Sequence, residues 1–191
     1  MKIRFEKIND VFRSAEEEGR NFLLEHEVYH ILRQVGIRTP KCLFVKKGER
    51  VRQEDLVGFR KSSLVVKVVN PFIVHKTDIG GIKFVESNAA KINRTCKSML
   101  ENIPKKYQDW INKFPDTKKG KRRTLRQIKE EIRGFLICEM VEYDKTGFGT
   151  ELLMGLRHSR EFGPIATIGV GGVEIEYLSE RIKEGKAVSI G

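Results

Sequence analysis

The sequence predicts a mixed α/β (α+β) fold in two lobes. Strand-like runs and amphipathic helical stretches alternate in two successive groups, and glycines punctuate the connections between them. In addition, 39% of the 191 residues are apolar, the share of a globular chain rather than a disordered one. A first lobe with leading helices is expected over residues 1–103, a basic insertion over 104–133, and a second, incomplete lobe over 134–191.

Taken in order, Val11, Phe12 and Ala15 mark a helical piece cut off near Gly19. Val28, Ile31, Leu32 and Val35 recur at helical spacing and are followed by Gly36, the residue type that ends helices in a left-handed turn, with Pro40 just beyond. Three β-like runs come next, at 43–47, 63–69 and 82–86, with a short polar helical stretch around QEDLVGF between the first two. Asn88 is the expected N-cap of a helix that carries Ile92, Cys96, Met99, Leu100 and Ile103 on one face and is closed by Pro104. Residues 105–129, with Pro115 and Gly120, read as an exposed insertion. Strand character returns at 134–141, 151–158 and 165–170.

Several function classes are excluded on composition. The longest apolar runs, such as SLVVKVV and FLICEM, are far shorter than the roughly 20 residues of a membrane span, and the N-terminal stretch is too charged for a secretory signal. No membrane partner and a cytoplasmic setting are therefore expected. Cys42, Cys96 and Cys138 are scattered without a C-x-x-C pair, so neither a disulfide framework nor a metal site is indicated. The formal net charge of +11 is concentrated. Residues 105–133 hold eleven Lys or Arg against four acids, which is +7 of that total. Such a segment is either a solvated surface loop or a docking patch in which Tyr107 or Trp110 could stack; positive potential alone does not choose between nucleic acid and a polyphosphate.

The chemistry concentrates in VVKVVNPFIVHKTDIGGIKF, residues 65–84. Lys67 stands inside an apolar strand, where an ammonium group is costly unless an anion meets it or it escapes along an edge strand. The polar loop after it offers His75, Lys76, Thr77 and the pair Gly80–Gly81, which can bring cations and backbone N–H groups toward phosphate oxygens. It is neither a Walker loop nor a G-x-G-x-x-G fingerprint.

The run resembles the strand, flap and strand of the beta subunits of ADP-forming acetyl-CoA synthetases: Val-Val-x-Lys, then Ser-Pro, then His-Lys-x-Asp-x-Gly-Gly-Val. Lys67, Pro71, His75, Lys76, Asp78, Gly80 and Gly81 are in register with it. Upstream, FRSAEEEGRNFLLEHEVYHILRQVGIRTP is similar to the family's N-terminal helices. Downstream, GFLICEMVEYDKTGFGTELLMGLRHSREFGPIATIGVGGVEIEYL is similar to its hinge strand, Glu-Leu-x-x-Gly strand, Phe-Gly-Pro turn and Gly-Gly-x-x-x-Glu segment, the last also resembling the succinyl-CoA synthetase beta subunit.

The resemblance implies an ATP-grasp fold with ATP or ADP bound between two lobes. Lys67 would neutralise phosphate, the 75–81 loop would close as a lid, Glu139 would meet the adenine amino group with Met140 and Val141 lining the base, and Glu151 would meet the ribose; both glutamates could equally be solvated strand-end carboxylates. His75 would either accept a phosphoryl group transiently or only orient phosphate. His26, His30 and His158 read as surface or helix-face residues. The implied activity is acyl-CoA + ADP + phosphate ⇌ carboxylate + ATP + CoA, with an alpha-type, CoA-binding, phosphohistidine-bearing partner and no nucleic acid. The alternatives are another ATP-grasp carboxylate ligase, or a non-catalytic nucleotide- or RNA-binding remnant. The resemblance also implies Mg2+, but the family's Asn-Pro and Asp-Ala-Arg-like metal motifs do not occur before Gly191, and ERIKEGKAVSIG departs from the family's continuation. A chain that is truncated, completed by a separate gene or degenerate, and inactive alone, is therefore expected. Ser159 stands where the family carries an acid.

Overall fold

The computed structural model describes residues 3–73, 76–113, 123–142 and 151–171. His75, the centre of the basic run with Pro115 and Gly120, and the segment after Gly171 lie outside them. The chain divides into two compact units, Met1–Met140 and Val141–Gly191.

In the first unit, helices α1 (Phe5–Glu17) and α2 (Glu25–Gln34) precede strand β1 (Cys42–Lys46). A 3-10 turn at Gln53–Leu56 leads to β2 (Ser63–Val69) and β3 (Ile82–Glu86). These are followed by α3 (Ala89–Lys113), α4 (Leu125–Glu131) and β4 (Gly134–Glu139). The helix stops fall where the glycines predict. Gly19 and Gly36 take φ of 66° and 82°, and the Ile37 amide donates back to Leu32 O at 2.9 Å, which satisfies a last-turn carbonyl. Asn88 caps α3 through Oδ1, which accepts from the Lys91 amide at 3.0 Å.

The four strands form one antiparallel sheet in the order β1-β4-β2-β3. Side-chain alternation splits β2 between two layers. Leu64, Val66 and Val68 are buried with Ile92, Met99 and Ile103 of α3 in the main core. On the opposite face Val69, Leu136 and Cys138 pack with Leu24 and Tyr29 from α2 and its entry. Lys67 shares that second face.

Three expectations are corrected. Gly134–Glu139 does not open a second lobe: β4 lies between β1 and β2, from Cys42↔Cys138 on one side to Val69↔Gly134 on the other. Pro104 does not close α3, which runs on to Lys113 with the proline inside it. An interior proline costs a helix about 3 kcal/mol, but the apolar stripe continues through Ile103, Tyr107 and Trp110, which pack on the core and offset that cost. The described parts of the basic stretch are not a solvated loop either. Thr124 caps α4 with its hydroxyl accepting from the Gln127 amide, and Ile128 and Ile132 are each 1% exposed. Tyr107 and Trp110 stack on each other with ring centroids 6.4 Å apart, half-buried against the core.

In the second unit, β5 (Leu152–Ser159) and β6 (Gly163–Val170) form an antiparallel ribbon, Leu152 opposite Val170. At its turn the Ser159 hydroxyl accepts from the Glu161 and Phe162 amides at 3.2 and 3.3 Å, the contacts a carboxylate there would otherwise take. Among the described residues no helix is long and apolar enough to cross a membrane.

Candidate functional site

The chemistry-bearing residues of the first unit gather where β2 runs out and where α2 begins. The entry to α2 is fixed first. Glu27 accepts a hydrogen bond from the Leu24 amide at 2.6 Å, and its two oxygens receive Arg20 at 2.9 and 2.7 Å. This fork holds the first turn of α2 rigidly. Glu25, the first residue of the helix, is thereby aimed across the sheet at Lys67.

Lys67 neither escapes along an edge strand nor stands alone. Its Nζ lies 2.6 Å from Glu25 Oε1, and Lys76 Nζ lies 3.1 Å from Glu25 Oε2. Tyr29 donates its hydroxyl to the same Oε1 at 3.1 Å. All three charged side chains are less than a quarter exposed. One carboxylate facing two ammonium groups leaves net positive charge in a partly desolvated corner, the electrostatic condition for holding a further anion. Burial opposes ionisation of Glu25, but the hydrogen bond and charge of Lys67, followed by Lys76, outweigh it and hold the carboxyl below its ordinary value. Burial, then the Glu25 charge, pushes the Tyr29 phenol upward, so it stays a neutral donor. Sequence reasoning supplied both lysines but not Glu25, which is 42 residues from Lys67. The available signal was an acid at the first position of a helix, where the macrodipole favours one.

A depressed folded-state pKa stabilises the protein above the unfolded carboxyl's value of 4.5, and that stability disappears as pH falls through the lower folded value. Glu25→Gln should therefore cost about 1–3 kcal/mol at neutral pH, between the ranges for exposed and buried pairs. It should also flatten the acid limb of a plot of urea-unfolding stability against pH. An acid limb as steep in the variant as in the parent would remove Glu25 from this role.

The loop after β2 is anchored at both ends. Asn70, the one buried polar side chain among the described residues, accepts from the Phe72 and Ile73 amides at 2.8 and 3.2 Å. Tyr107 donates to Phe72 O at 3.1 Å, and the Arg123 guanidinium sits 3.7 Å from the centre of the Phe72 ring. At the far end the Gly80 amide donates to Thr77 O at 3.0 Å and the Gly81 amide to Lys76 O at 2.6 Å. These two amides close the loop on itself. Gly80 has φ +68°, and a Cβ on Gly81 would lie 2.8 Å from Val68 Cγ1 and 2.9 Å from Lys76 O, so both glycines are required by the turn itself. Thr77 is exposed. Two cations absent from the sequence assignment flank Gly80: a Cβ there would be 3.2 Å from Lys106 Nζ and 3.8 Å from Lys83 Nζ.

Glu139 ends β4 with Oε1 accepting from the Arg60 amide, beside a cleft of about 690 Å³ that Arg33, Arg38 and Lys41 also line. Met140, half-buried, closes the first unit; Val141 and Glu151, both exposed, belong to the second, each unit standing by itself. His26 is a half-buried residue on a face of α2. It stacks on Phe44 at 3.9 Å, its Nδ1 has no hydrogen-bond partner, and burial pulls its pKa below the usual imidazole value. Among the described residues no three His, Cys, Asp or Glu side chains are grouped to hold a metal ion.

Residues 14–114, more than half of the chain, match the ATP-grasp domain family. The chain belongs to that family. Among curated proteins, this ATP-grasp chain is 32% identical over 94% of its length to the 4-hydroxybutyrate–CoA ligase [ADP-forming] of Nitrosopumilus maritimus, covering 22% of that protein. It is 26% identical over 93% of its length to the acetate–CoA ligase [ADP-forming] I subunit beta of Pyrococcus furiosus, covering 64% of it. Among solved structures, acetyl-coenzyme A synthetase 1 of Ca. Korarchaeum cryptofilum is similar in two forms. One, with coenzyme A and Ca-AMPCP, has 28% identity and a TM-score of 0.57, covering 89% of this chain and 62% of that one. The other has a phosphorylated phosphohistidine segment, with 26% identity and a TM-score of 0.56, covering 87% and 60%. The ATP-grasp chain thus spans about a fifth of the first of these proteins and under two thirds of the others.

Proposed function

We propose that this ATP-grasp chain is the nucleotide-binding part of an ADP-forming acyl-CoA synthetase, serving acyl-CoA + ADP + phosphate ⇌ carboxylate + ATP + CoA. The observation that carries the proposal is the convergence of Lys67 and Lys76 on a single carboxylate, with positive charge left over. It is supported by relatives named as ADP-forming CoA ligases. A phosphate oxygen offers the two ammonium groups the same kind of acceptor as Glu25 does, with more charge. As the nucleotide tail arrives, Lys67 and Lys76 would turn from Glu25 to it.

In this reading the loop 75–81 covers the phosphates, with Thr77 able to donate its hydroxyl and Gly80–Gly81 shaping the turn. Glu139 with Met140 and Val141 would take the adenine, and Glu151 the ribose hydroxyls. His75 would accept the phosphoryl group from a phosphohistidine on an alpha-type, CoA-binding partner, breaking that N–P bond as its own forms, and then release it to a β-phosphate oxygen of ADP to give ATP. The Korarchaeum enzyme's phosphohistidine segment and bound coenzyme A support such a partner. Mg2+ would supply charge neutralisation to the phosphates in this chemistry; among the described residues no three His, Cys, Asp or Glu side chains are grouped to hold it, and the roles assigned above are those of this chain's own residues. A cytoplasmic setting goes with this reading.

Calorimetric titration of the chain with ADP tests the binding claim. Saturable binding between about 1 μM and 1 mM is expected, the range usual for enzyme substrates, and no heat at millimolar ADP would overturn it. The covalent role is tested separately in the enzyme assembled with its alpha-type partner. His75→Asn should lower turnover at least about 100-fold while leaving ADP affinity within about threefold. Unchanged turnover would leave His75 only the orienting role.

A further inference from the structure

The sequence separates Cys42 and Cys138, and the fold puts them opposite each other. The β1–β4 register pairs them directly. At the two ends of the ladder, the Glu139 amide donates to Lys41 O and the Lys47 amide to Arg133 O, each at 2.9 Å. Antiparallel ladders alternate hydrogen-bonded and non-hydrogen-bonded pairs, so both ends of this ladder place Cys42–Cys138 in the non-hydrogen-bonded class. There Cα atoms stand about 4.5 Å apart and side chains approach most closely. A disulfide needs a Cα separation of roughly 4.4–6.8 Å.

The surroundings differentiate the two sulfurs. Cys42 is half-buried and opens on a cleft of about 540 Å³ lined also by His26, His30 and Arg33. Arg33 Nη2 donates to Cys42 Sγ at 2.8 Å, while its Nε donates to Thr39 Oγ1 at 2.8 Å, which fixes the guanidinium over the thiol. Cys138 is 2% exposed, packed with Leu24, Val69 and Leu136. The Cys138 thiol hydrogen bond and the Arg33 charge favour the Cys42 thiolate against its burial, whereas that same hydrogen bond and burial keep Cys138 protonated. One sulfur is accessible and activated, the other is held behind it.

We propose that Cys42 and Cys138 are a reversible oxidation site, closed by a hydroperoxide into a cross-strand disulfide between β1 and β4. The Cys42 thiolate attacks one peroxide oxygen. The O–O bond breaks, and the departing hydroxide takes up a proton as water, leaving Cys42 as its sulfenic acid. The Cys138 sulfur then attacks Cys42 Sγ, the S–O bond breaks, and hydroxide leaves with the Cys138 proton as a second water. Two thiols and one hydrogen peroxide give one disulfide and two waters. A dithiol reductant reverses the step by exchange. Cys96, whose thiol burial pushes up to about 12, stays outside the chemistry.

The test is stoichiometric hydrogen peroxide added to the native 191-residue chain, followed by alkylation with iodoacetamide and peptide mass mapping with and without dithiothreitol. The expected result is a dithiothreitol-sensitive Cys42–Cys138 linked peptide, with Cys96 outside the link and recovered as a free thiol in both arms. Before oxidation, Cys42 should alkylate at least about tenfold faster than Cys96 at pH 7. Cys138→Ser should stop Cys42 at a sulfenic acid that dimedone captures, and Cys42→Ser should leave Cys138 an unmodified thiol. The proposal is overturned by Cys42 advancing to sulfinic acid with Cys138 still alkylatable, by a link joining Cys42 residues of two chains, or by both thiols surviving peroxide unchanged. The mapping on the parent chain keeps the test decisive even where a serine variant folds poorly.

Discussion

Lys67→Met should weaken ADP binding about 10–150-fold, the equivalent of one charge-assisted hydrogen bond of about 1.5–3 kcal/mol. Methionine preserves the aliphatic stem, which shares a strand face with Val69, and removes only the ammonium group. The fold should survive, because Glu25 keeps Lys76 at 3.1 Å and Tyr29 at 3.1 Å as partners. Calorimetric titration paired with circular dichroism separates the two effects. Falling affinity with intact helix and sheet signals supports a phosphate-gripping Lys67. Unaltered affinity in a folded variant would mean that Lys67 exists only to neutralise Glu25. Lys76→Met should behave in the same direction, and the double variant should lose less than the sum, since both ammonium groups act on one anion.

Ile128→Ala should destabilise the first unit by about 2–5 kcal/mol, the range for emptying a fully enclosed aliphatic site. Ile128 is 1% exposed, and its carbonyl also receives the Asn70 side chain at 3.5 Å. The cavity would therefore open beneath the loop that carries Lys76. Leu125→Ala on the same helix serves as the control: Leu125 is 44% exposed, and its loss should stay within about 0.5 kcal/mol. Urea unfolding measures both. Equal, small effects would mean that α4 lies on the surface after all.

Much of the fold was legible in the chain because the signals are local. Gly19 and Gly36 stop helices through their own backbone freedom, Asn88 caps α3 through its own side chain, and the β-branched run at 63–69 can hardly be anything but a buried strand. What escaped was non-local. Pro104 is a local stop signal, overridden by the burial of Tyr107 and Trp110 beyond it. α4 has only Leu125 and Ile128, with Ile132 just past its end, to reveal an apolar face amid charge, so composition outweighed periodicity. The placement of β4 depends on partners around a hundred residues upstream. In the site, the anions and cations lie on different elements: β2 and its loop supplied the lysines, while Glu25 entered from α2 and Lys106 from a stretch assigned to an insertion. Pairing across strands likewise hid Cys42 and Cys138 from each other, since spacing along the chain carries no trace of register.

The strand order has a consequence for how the chain comes to be folded. During synthesis β1, β2 and β3 emerge long before β4, yet among the described residues β4 is the one strand that pairs with β1. Until Gly134–Glu139 leaves the ribosome, β1 lacks its β4 partner and β2 exposes the rim of amides and carbonyls that β4 later covers. The β2–β3 hairpin and α3 can associate early, but the sheet is completed only by threading a late strand into its middle. That topology raises contact order and slows the final step. It also leaves an adhesive edge open on the nascent polypeptide for the whole time that residues 70–133 are being translated. Lysines at both ends of β1, Lys41 before it and Lys46–Lys47 at its close, give that waiting strand a charged guard against pairing with the wrong chain.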